Sequence, residues 1–405
     1  PSMTAGINKE NIVGIITETG GKTSHSAILA RALEIPAVLS VNGAVSKLSA
    51  GTYVIVDGSE GVVIDEPDDA VIQEYDTKRI NFLKERKELE NFRGKATKAL
   101  SGEEYELFCN IGKPEDAIKA VDADGEGVGL FRTEFLFMDR TALPTEDEQF
   151  DAYKKAALTL KGKPVIIRTL DIGGDKEIPY LGLKKEENPF LGFRAIRYCL
   201  KHKDLFKTQL RAIVRASAFG DVRIMFPLIT AVEELREGKA LVEEVKAELR
   251  EQGVEFNENI PVGIMTETSA AVMIADILAK ESDFFSIGTN DLTGYTMACD
   301  RGNDDVAYLY SPLQPSVLRG IKYIIDCANK NNISVGMCGE AAANPMMVPL
   351  LMSFGLTEFS VSAPLVLKVR KTISAWSKAE ADKVAEKVLA MTTEKEISDY
   401  LKTLL

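Results

Sequence analysis

From about residue 100 onward the chain alternates short apolar runs with longer stretches of helical period. The runs are Glu106–Cys109, Gly127–Phe131, Val165–Arg168, Val222–Phe226, Val262–Met265, Phe284–Ile287, Ser334–Met337 and Glu358–Val361. They are short and mostly apolar, which suits buried strands alternating with helices, the condition of a parallel sheet. Between them, stretches such as Thr145–Leu160, Val232–Arg250 and Ser269–Ala279 place apolar residues three and four apart, as a helix packed on a sheet requires. Strand–helix repeats in this number predict an α/β fold closed into a (β/α)8 barrel, with a doubly wound open sheet as the competing arrangement.

The first 65 residues follow a different pattern. Asn11–Thr17, Ala37–Leu39, Tyr53–Asp57 and Gly61–Ile64 read as short strands split by glycine turns, and Thr23–Leu33 reads as a helix. From Pro67 to about Leu100, Lys, Arg and Glu interleave without an apolar stripe, which predicts a solvated linker helix. The expected organisation is therefore a small α/β domain (1–65), a linker helix (66–100) and a barrel (101–405). No low-complexity segment interrupts it.

Composition narrows the function. A formal net charge of −12 argues against nucleic acid or an anionic membrane as a partner. The five cysteines form no CxxC pair and are odd in number, which fits a reducing cytoplasm better than a disulfide framework. No apolar run approaches the ~20 residues of a membrane span. The chain begins at Pro1 with no signal peptide, and this reads as the cut edge of a longer protein.

An acidic chain that handles an anionic substrate must gather its cations locally, so the ends of the predicted strands are informative. They carry Arg132-Thr133-Glu134, Arg168-Thr169-Leu170-Asp171, Thr266-Glu267-Thr268, Gly288-Thr289-Asn290-Asp291 and Cys338-Gly339-Glu340. In a (β/α)8 barrel the C-terminal strand ends share one mouth. There Arg132 and Arg168 offer planar donor forks for phosphate oxygens, and Arg301 in the following loop could serve phosphate or carboxylate. Glu267 and Asp291 are hard oxygen ligands of the kind Mg2+ takes. Asn290 can hydrogen-bond a carboxylate, and Cys338 can act as a proton donor. Each residue taken singly has a plainer reading: a surface ion pair for an arginine, unrelated acids for the Glu and Asp, a small buried side chain for the cysteine. His25, one of two histidines, follows Gly20-Gly21-Lys22-Thr23-Ser24 and opens a helix-forming run. A helix N-terminus presents free N–H groups and a positive dipole end, so an imidazole there is poised to carry a phosphoryl group; a simple capping role is the alternative. His202 reads as solvated on a basic helical face. Lys176, in a Gly-rich turn, could touch phosphate or simply sit in that turn. No Walker-type loop is present, so a P-loop nucleotide site is unsupported.

Taken together, Gly20–His25, Gly129–Leu136, Arg168–Lys176, Asn188–Arg194, Phe285–Leu292 and Met337–Glu340 resemble the phosphoenolpyruvate-protein phosphotransferases, Enzyme I of the bacterial sugar phosphotransferase system. The resemblance runs nearly end to end. It implies a phosphohistidine domain followed by a phosphoenolpyruvate-binding barrel that also dimerises. It implies that His25 is phosphorylated through Nε2, that Arg132, Arg168, Asn290, Asp291 and Arg301 bind phosphoenolpyruvate, that Glu267 and Asp291 hold Mg2+, and that Cys338 protonates the enolate carbon, with Arg194 near the phosphate. The onward acceptor implied is a histidine-containing phosphocarrier protein.

Three departures from the family pattern stand out. The helical subdomain that docks the carrier has no counterpart in this chain, nor has the sequence that completes the phosphohistidine domain before Pro1. Gly294 stands where the family usually has Gln, and Ser269 where it usually has Pro; both loosen backbone beside the metal-side residues. Two other readings remain open at this point. One is a relative of pyruvate phosphate dikinase or phosphoenolpyruvate synthase, although no ATP-binding domain is present. The other is a non-catalytic phosphoenolpyruvate-binding module.

Overall fold

A computed structural model describes residues 11–19, 30, 35–138, 140–173 and 178–405. The chain divides into two compact units, 1–91 and 92–405.

In the first unit β1 (Ile15–Ile16) pairs in parallel with β2 (Ala37–Val38), and β3 (Val54–Asp57) forms an antiparallel hairpin with β4 (Val62–Asp65). The hairpin turn is set by Asp57, whose Oδ1 accepts the Ser59 and Glu60 N–H groups at 2.9 and 3.0 Å, and by Gly61 at φ +69°. The predicted helix over Thr23–Leu33 lies outside the described residues, apart from a buried, helical Ala30. A helix spans Asp69–Glu90, capped by Asp68 accepting the Val71 N–H at 2.9 Å. None of its residues is buried, in keeping with its interleaved charges. It is shorter than the charge pattern suggested. The chain turns at Gly94 (φ +72°), and Thr97 and Ala99 are already buried in the second unit.

The second unit is an eight-stranded closed parallel barrel. Its strands are β5 (Glu106–Ile111), β6 (Val128–Arg132), β7 (Val165–Arg168), β8 (Val222–Phe226), β9 (Val262–Thr266), β10 (Phe284–Ile287), β11 (Ser334–Met337) and β12 (Glu358–Val361). They neighbour one another in chain order, and β12 closes on β5 with Glu358 opposite Glu106. The open-sheet alternative is thereby excluded. Strand alternation creates two cores. Residues such as Val222, Ile224 and Phe226 pack outward against the helices in one large cluster, while Leu130, Ile166, Met225, Met265, Phe284 and Cys338 fill a small separate one.

The helices follow their period with one adjustment. The one at Glu146–Thr159 starts with Thr145 as a capping box, the Glu148 carboxylate accepting the Thr145 N–H at 2.7 Å. The predicted helix from Ser269 to Ala279 is two short ones, Ser269–Met273 and Ala275–Leu278, broken at Ile274 (φ −115°, ψ 21°).

Candidate active site

The C-terminal ends of the barrel strands bring the predicted arginines and acids together. Arg168, the last residue of β7, is buried and donates to Glu134 Oε1 at 2.7 Å and pairs with Asp171 Oδ2 at 3.0 Å. Asp171 is shared: its Oδ1 accepts from Arg194 at 2.8 Å, and the same Arg194 nitrogen lies 3.4 Å from Asp291 Oδ2. Arg194 also donates to the Tyr295 hydroxyl at 3.2 Å. The result is a continuous chain of ion pairs, Glu134–Arg168–Asp171–Arg194–Asp291, across the loops after β6, β7 and β10.

Local structure fixes this chain from beneath. The buried Gln209 accepts the Leu170 N–H at 2.8 Å and donates to the Thr133 and Tyr153 hydroxyls, each at 3.2 Å. Thr133 in turn donates to the Arg168 carbonyl at 2.8 Å. The turns carrying Glu134, Arg168 and Asp171 are thus held by one amide. Burial works against the charge on both arginines, but the carboxylates outweigh it, Glu134 and Asp171 for Arg168, Asp171 and Asp291 for Arg194. Both are held more firmly cationic than usual.

Glu267 lies just past β9 and is 2 % exposed. Its Oε1 accepts the N–H of Leu228, a non-glycine residue at φ +57°. A Cβ on Gly288 would stand 2.8 Å from its Oε2, so a bare glycine keeps that oxygen clear. Burial pushes the Glu267 acid up to about 8; Asp291 and Asp171 push the same way, and Arg168 and Arg194 oppose them. A divalent cation would relieve this crowding of carboxylates. Among the described residues no cluster of three or more His, Cys, Asp or Glu could cage a metal. Mg2+ needs no such cage, because it is commonly held by one or two carboxylates with substrate phosphate and water completing the octahedron. The donor set therefore fits Mg2+ at Glu267 and Asp291.

Asn290 and Asp291 sit in the first turn of the helix Thr289–Met297. The Asn290 Oδ1 accepts the Glu340 N–H at 3.4 Å and its carbonyl accepts from the Tyr310 hydroxyl at 2.9 Å. Asn290, Asp291, Gly294, Tyr295, Arg301 and Tyr310 line a cavity of about 380 Å³ together with the 187–191 loop. Arg301 is exposed on its wall, and Arg132 is exposed at the end of β6. Ser269 begins a helix capped by Thr268, whose hydroxyl accepts the Ala271 N–H at 3.0 Å, so this turn forms without proline.

Cys338 directly follows β11 and is 4 % exposed. Burial pushes its thiol up to about 11, against the pull of the Ser286 hydroxyl, Arg168 and Arg132. All five cysteines are free and buried. His202 joins two helices and stacks on Tyr198 with ring centroids 4.1 Å apart; it is exposed. His25 and Lys176 lie outside the described residues.

The strand ends pointed to Arg132, Arg168, Glu267, Asn290, Asp291 and Cys338. They did not reveal that Glu134 and Asp171 are the partners of the arginines, nor that Arg194 is the hub between two carboxylates. The only signal was position, since each lies within a few residues of a strand end or a glycine turn.

Comparison with known proteins agrees with this geometry. Residues 86–377 match the family described as PEP-utilising enzyme, PEP-binding domain, and residues 1–61 match PEP-utilising enzyme, mobile domain. Relatives named phosphoenolpyruvate-protein phosphotransferase include one from Priestia megaterium, 47 % identical over 403 residues, covering 100 % of this chain and 70 % of that protein. One from Staphylococcus carnosus (strain TM300) is 47 % identical over 402 residues, covering 99 % and 70 %. Another from Bacillus subtilis (strain 168) is 49 % identical over 402 residues with the same coverage. The chain belongs to the phosphoenolpyruvate-protein phosphotransferase family of PEP-utilising enzymes.

Proposed function

We propose that this chain transfers the phosphoryl group of phosphoenolpyruvate to His25 and releases pyruvate, and that the phosphohistidine then serves a histidine-containing carrier protein in sugar uptake. The observation that supports this most is the meeting of Arg168, Arg194, Asp171, Asp291 and Glu267 at one barrel mouth, an array of fixed cations and hard oxygens inside an acidic protein.

Arg132, Arg168 and Arg301 receive the anionic substrate, and the Asn290 side-chain N–H groups take its carboxylate. Glu267 and Asp291 hold Mg2+, which when bound offsets charge on the phosphoryl oxygens. His25 Nε2 attacks phosphorus, the P–O bond to the enol oxygen breaks, and the electron pair leaves on that oxygen. The Cys338 S–H then gives its proton to C3 and pyruvate forms. Burial keeps the thiol protonated at neutral pH, the state a proton donor requires. Residues 1–65 act as the phosphohistidine domain, the helix Asp69–Glu90 as the linker on which it travels, and the second unit, 92–405, as the phosphoenolpyruvate-binding barrel, through which two copies pair. Among the described residues no helix is long and apolar enough to cross a membrane, and we place the reaction in the cytoplasm.

Rapid mixing with phosphoenolpyruvate and Mg2+ tests this reading. The expected result is a burst of one pyruvate per chain that chelation of the metal abolishes. In Cys338→Ala, phosphoenolpyruvate should still be consumed in the burst, with transient enolpyruvate preceding pyruvate. Absence of any burst in the unaltered chain contradicts the assignment.

A further inference from the structure

The mechanism leaves unexplained a half-buried amide bonded to the backbone of the proton donor. Asn110, near the end of β5, lies far from Cys338 in sequence, yet its Nδ2 donates to the Cys338 carbonyl at 3.0 Å. The same Nδ2 donates to the Ser360 carbonyl at 3.3 Å, and its Oδ1 accepts from the Ser360 hydroxyl at 2.7 Å. Ser360 is fully buried in β12. With two carbonyls on one side and a hydroxyl on the other, only one amide orientation satisfies all three contacts.

The barrel register explains why an amide is needed there. Between β11 and β12 the paired residues are Gly336 with Glu358 and Met337 with Phe359, and the ladder stops before Cys338. The Cys338 carbonyl therefore emerges where no strand neighbour meets it, and a buried carbonyl needs a donor. Asn110 reaches over β12 to supply one. On its other side Cys338 is tied to β10, its N–H donating to the Ile287 carbonyl at 3.2 Å. Gly339 leaves no slack, since a Cβ there would stand 1.8 Å from Thr289 Oγ1. The backbone of Cys338 is thus gripped from β10 and from β5.

We propose that Asn110, braced by Ser360, is a positioning residue that fixes the Cys338 thiol against one face of the enolate and so sets the facial selectivity of methyl-group formation. This rests on Cys338 being the proton donor. In the step concerned the S–H bond breaks, its electron pair stays on sulfur, and the new C–H bond forms at C3 as the enolate oxygen becomes a carbonyl. A thiol held on one face yields one stereoisomer. A thiol free to drift, or water in its place, delivers the proton to both faces.

The test is a single turnover, in D2O, of phosphoenolpyruvate stereospecifically tritiated at C3, followed by chirality analysis of the pyruvate methyl group. The unaltered chain should give one methyl configuration and Cys338→Ala a racemic product. Asn110→Ala should lose most of the selectivity and slow pyruvate formation about tenfold, with phosphoenolpyruvate affinity changed less than about twofold. Asn110→Asp keeps the volume but turns an acceptor toward the Cys338 carbonyl, so it should behave like Asn110→Ala and serves if that variant fails to fold. Ser360→Thr keeps the hydroxyl and should retain selectivity that Ser360→Ala loses in part. Full chirality in the Asn110 variants, alongside a racemic Cys338→Ala product, overturns the inference. A chiral product from Cys338→Ala overturns instead the reading of Cys338 as donor.

Discussion

Glu358→Gln should stabilise the protein, and by an amount that depends on pH. Glu358 opens β12 with its carboxyl inside the barrel, in room left by two glycines. A Cβ on Gly129 would stand 2.3 Å from its Oε1, and one on Gly336 would stand 2.7 Å from its Cδ. Among the described residues no group donates to that Oε1. Burial pushes the acid from 4.5 up to about 8; Glu106 adds to the shift and Arg223 opposes it. Between these two pH values the folded chain holds a proton that the unfolded chain releases. The folded state is therefore penalised increasingly as pH rises from 4.5 and no further once it passes 8. Each pH unit is worth ~1.4 kcal/mol, so the three units from 4.5 to 7.5 amount to roughly 4 kcal/mol that the neutral amide removes. Any packing cost of glutamine is the same at every pH and shifts the difference without changing its slope. Urea unfolding of both proteins at pH 5.5, 6.5 and 7.5 measures this directly. The expected difference grows in favour of Glu358→Gln with each step. A difference that stays flat across the three refutes a buried, protonated Glu358.

Arg194→Ala leaves Asp171 and Asp291 without their shared partner in a buried site, so about 3–5 kcal/mol of stability should be lost, together with most phosphoenolpyruvate affinity. Urea unfolding and ligand titration follow the two effects, and unchanged affinity contradicts the hub role. Gly339→Ala should cost about 1–3 kcal/mol through overpacking against Thr289 and weaken phosphoenolpyruvate binding by displacing the turn that carries Asn290; wild-type affinity in a titration contradicts this. Because burial holds the Cys338 thiol up at about 11, its alkylation by iodoacetamide should be slow at pH 7 and accelerate about tenfold per pH unit up to pH 10. Peptide mapping that finds rapid labelling of Cys338 at pH 7 contradicts its protonated state.

The barrel was legible because short, mostly apolar runs alternate with stretches of helical period. Val165–Arg168, Val222–Phe226, Phe284–Ile287, Ser334–Met337 and Glu358–Val361 occur with the bounds the apolar runs predict. The break at Ile274 was not legible, since helical spacing continues through it. The linker helix was overread because its charges continue past Glu90, whereas Thr97 and Ala99 are drawn into the second unit. In the site, residue type and strand-end position located the arginines and acids. Which carboxylate meets which guanidinium depends on the register of neighbouring strands: Arg168 at the end of β7 finds Glu134 in the turn after β6, and Arg194 finds Asp291 from a loop after β7. Asn110 escaped notice for a related reason. The apolar run of β5 ends at Cys109, but the strand continues to Ile111, and Asn110 lies in that polar continuation.

The most direct measurement is to locate the phosphate. After incubation with radiolabelled phosphoenolpyruvate and Mg2+, the chain should carry an acid-labile phosphate that peptide mapping places on His25, and His25→Ala should carry none while still binding phosphoenolpyruvate. Label on another residue, or label that persists in His25→Ala, contradicts phosphoryl transfer to this imidazole.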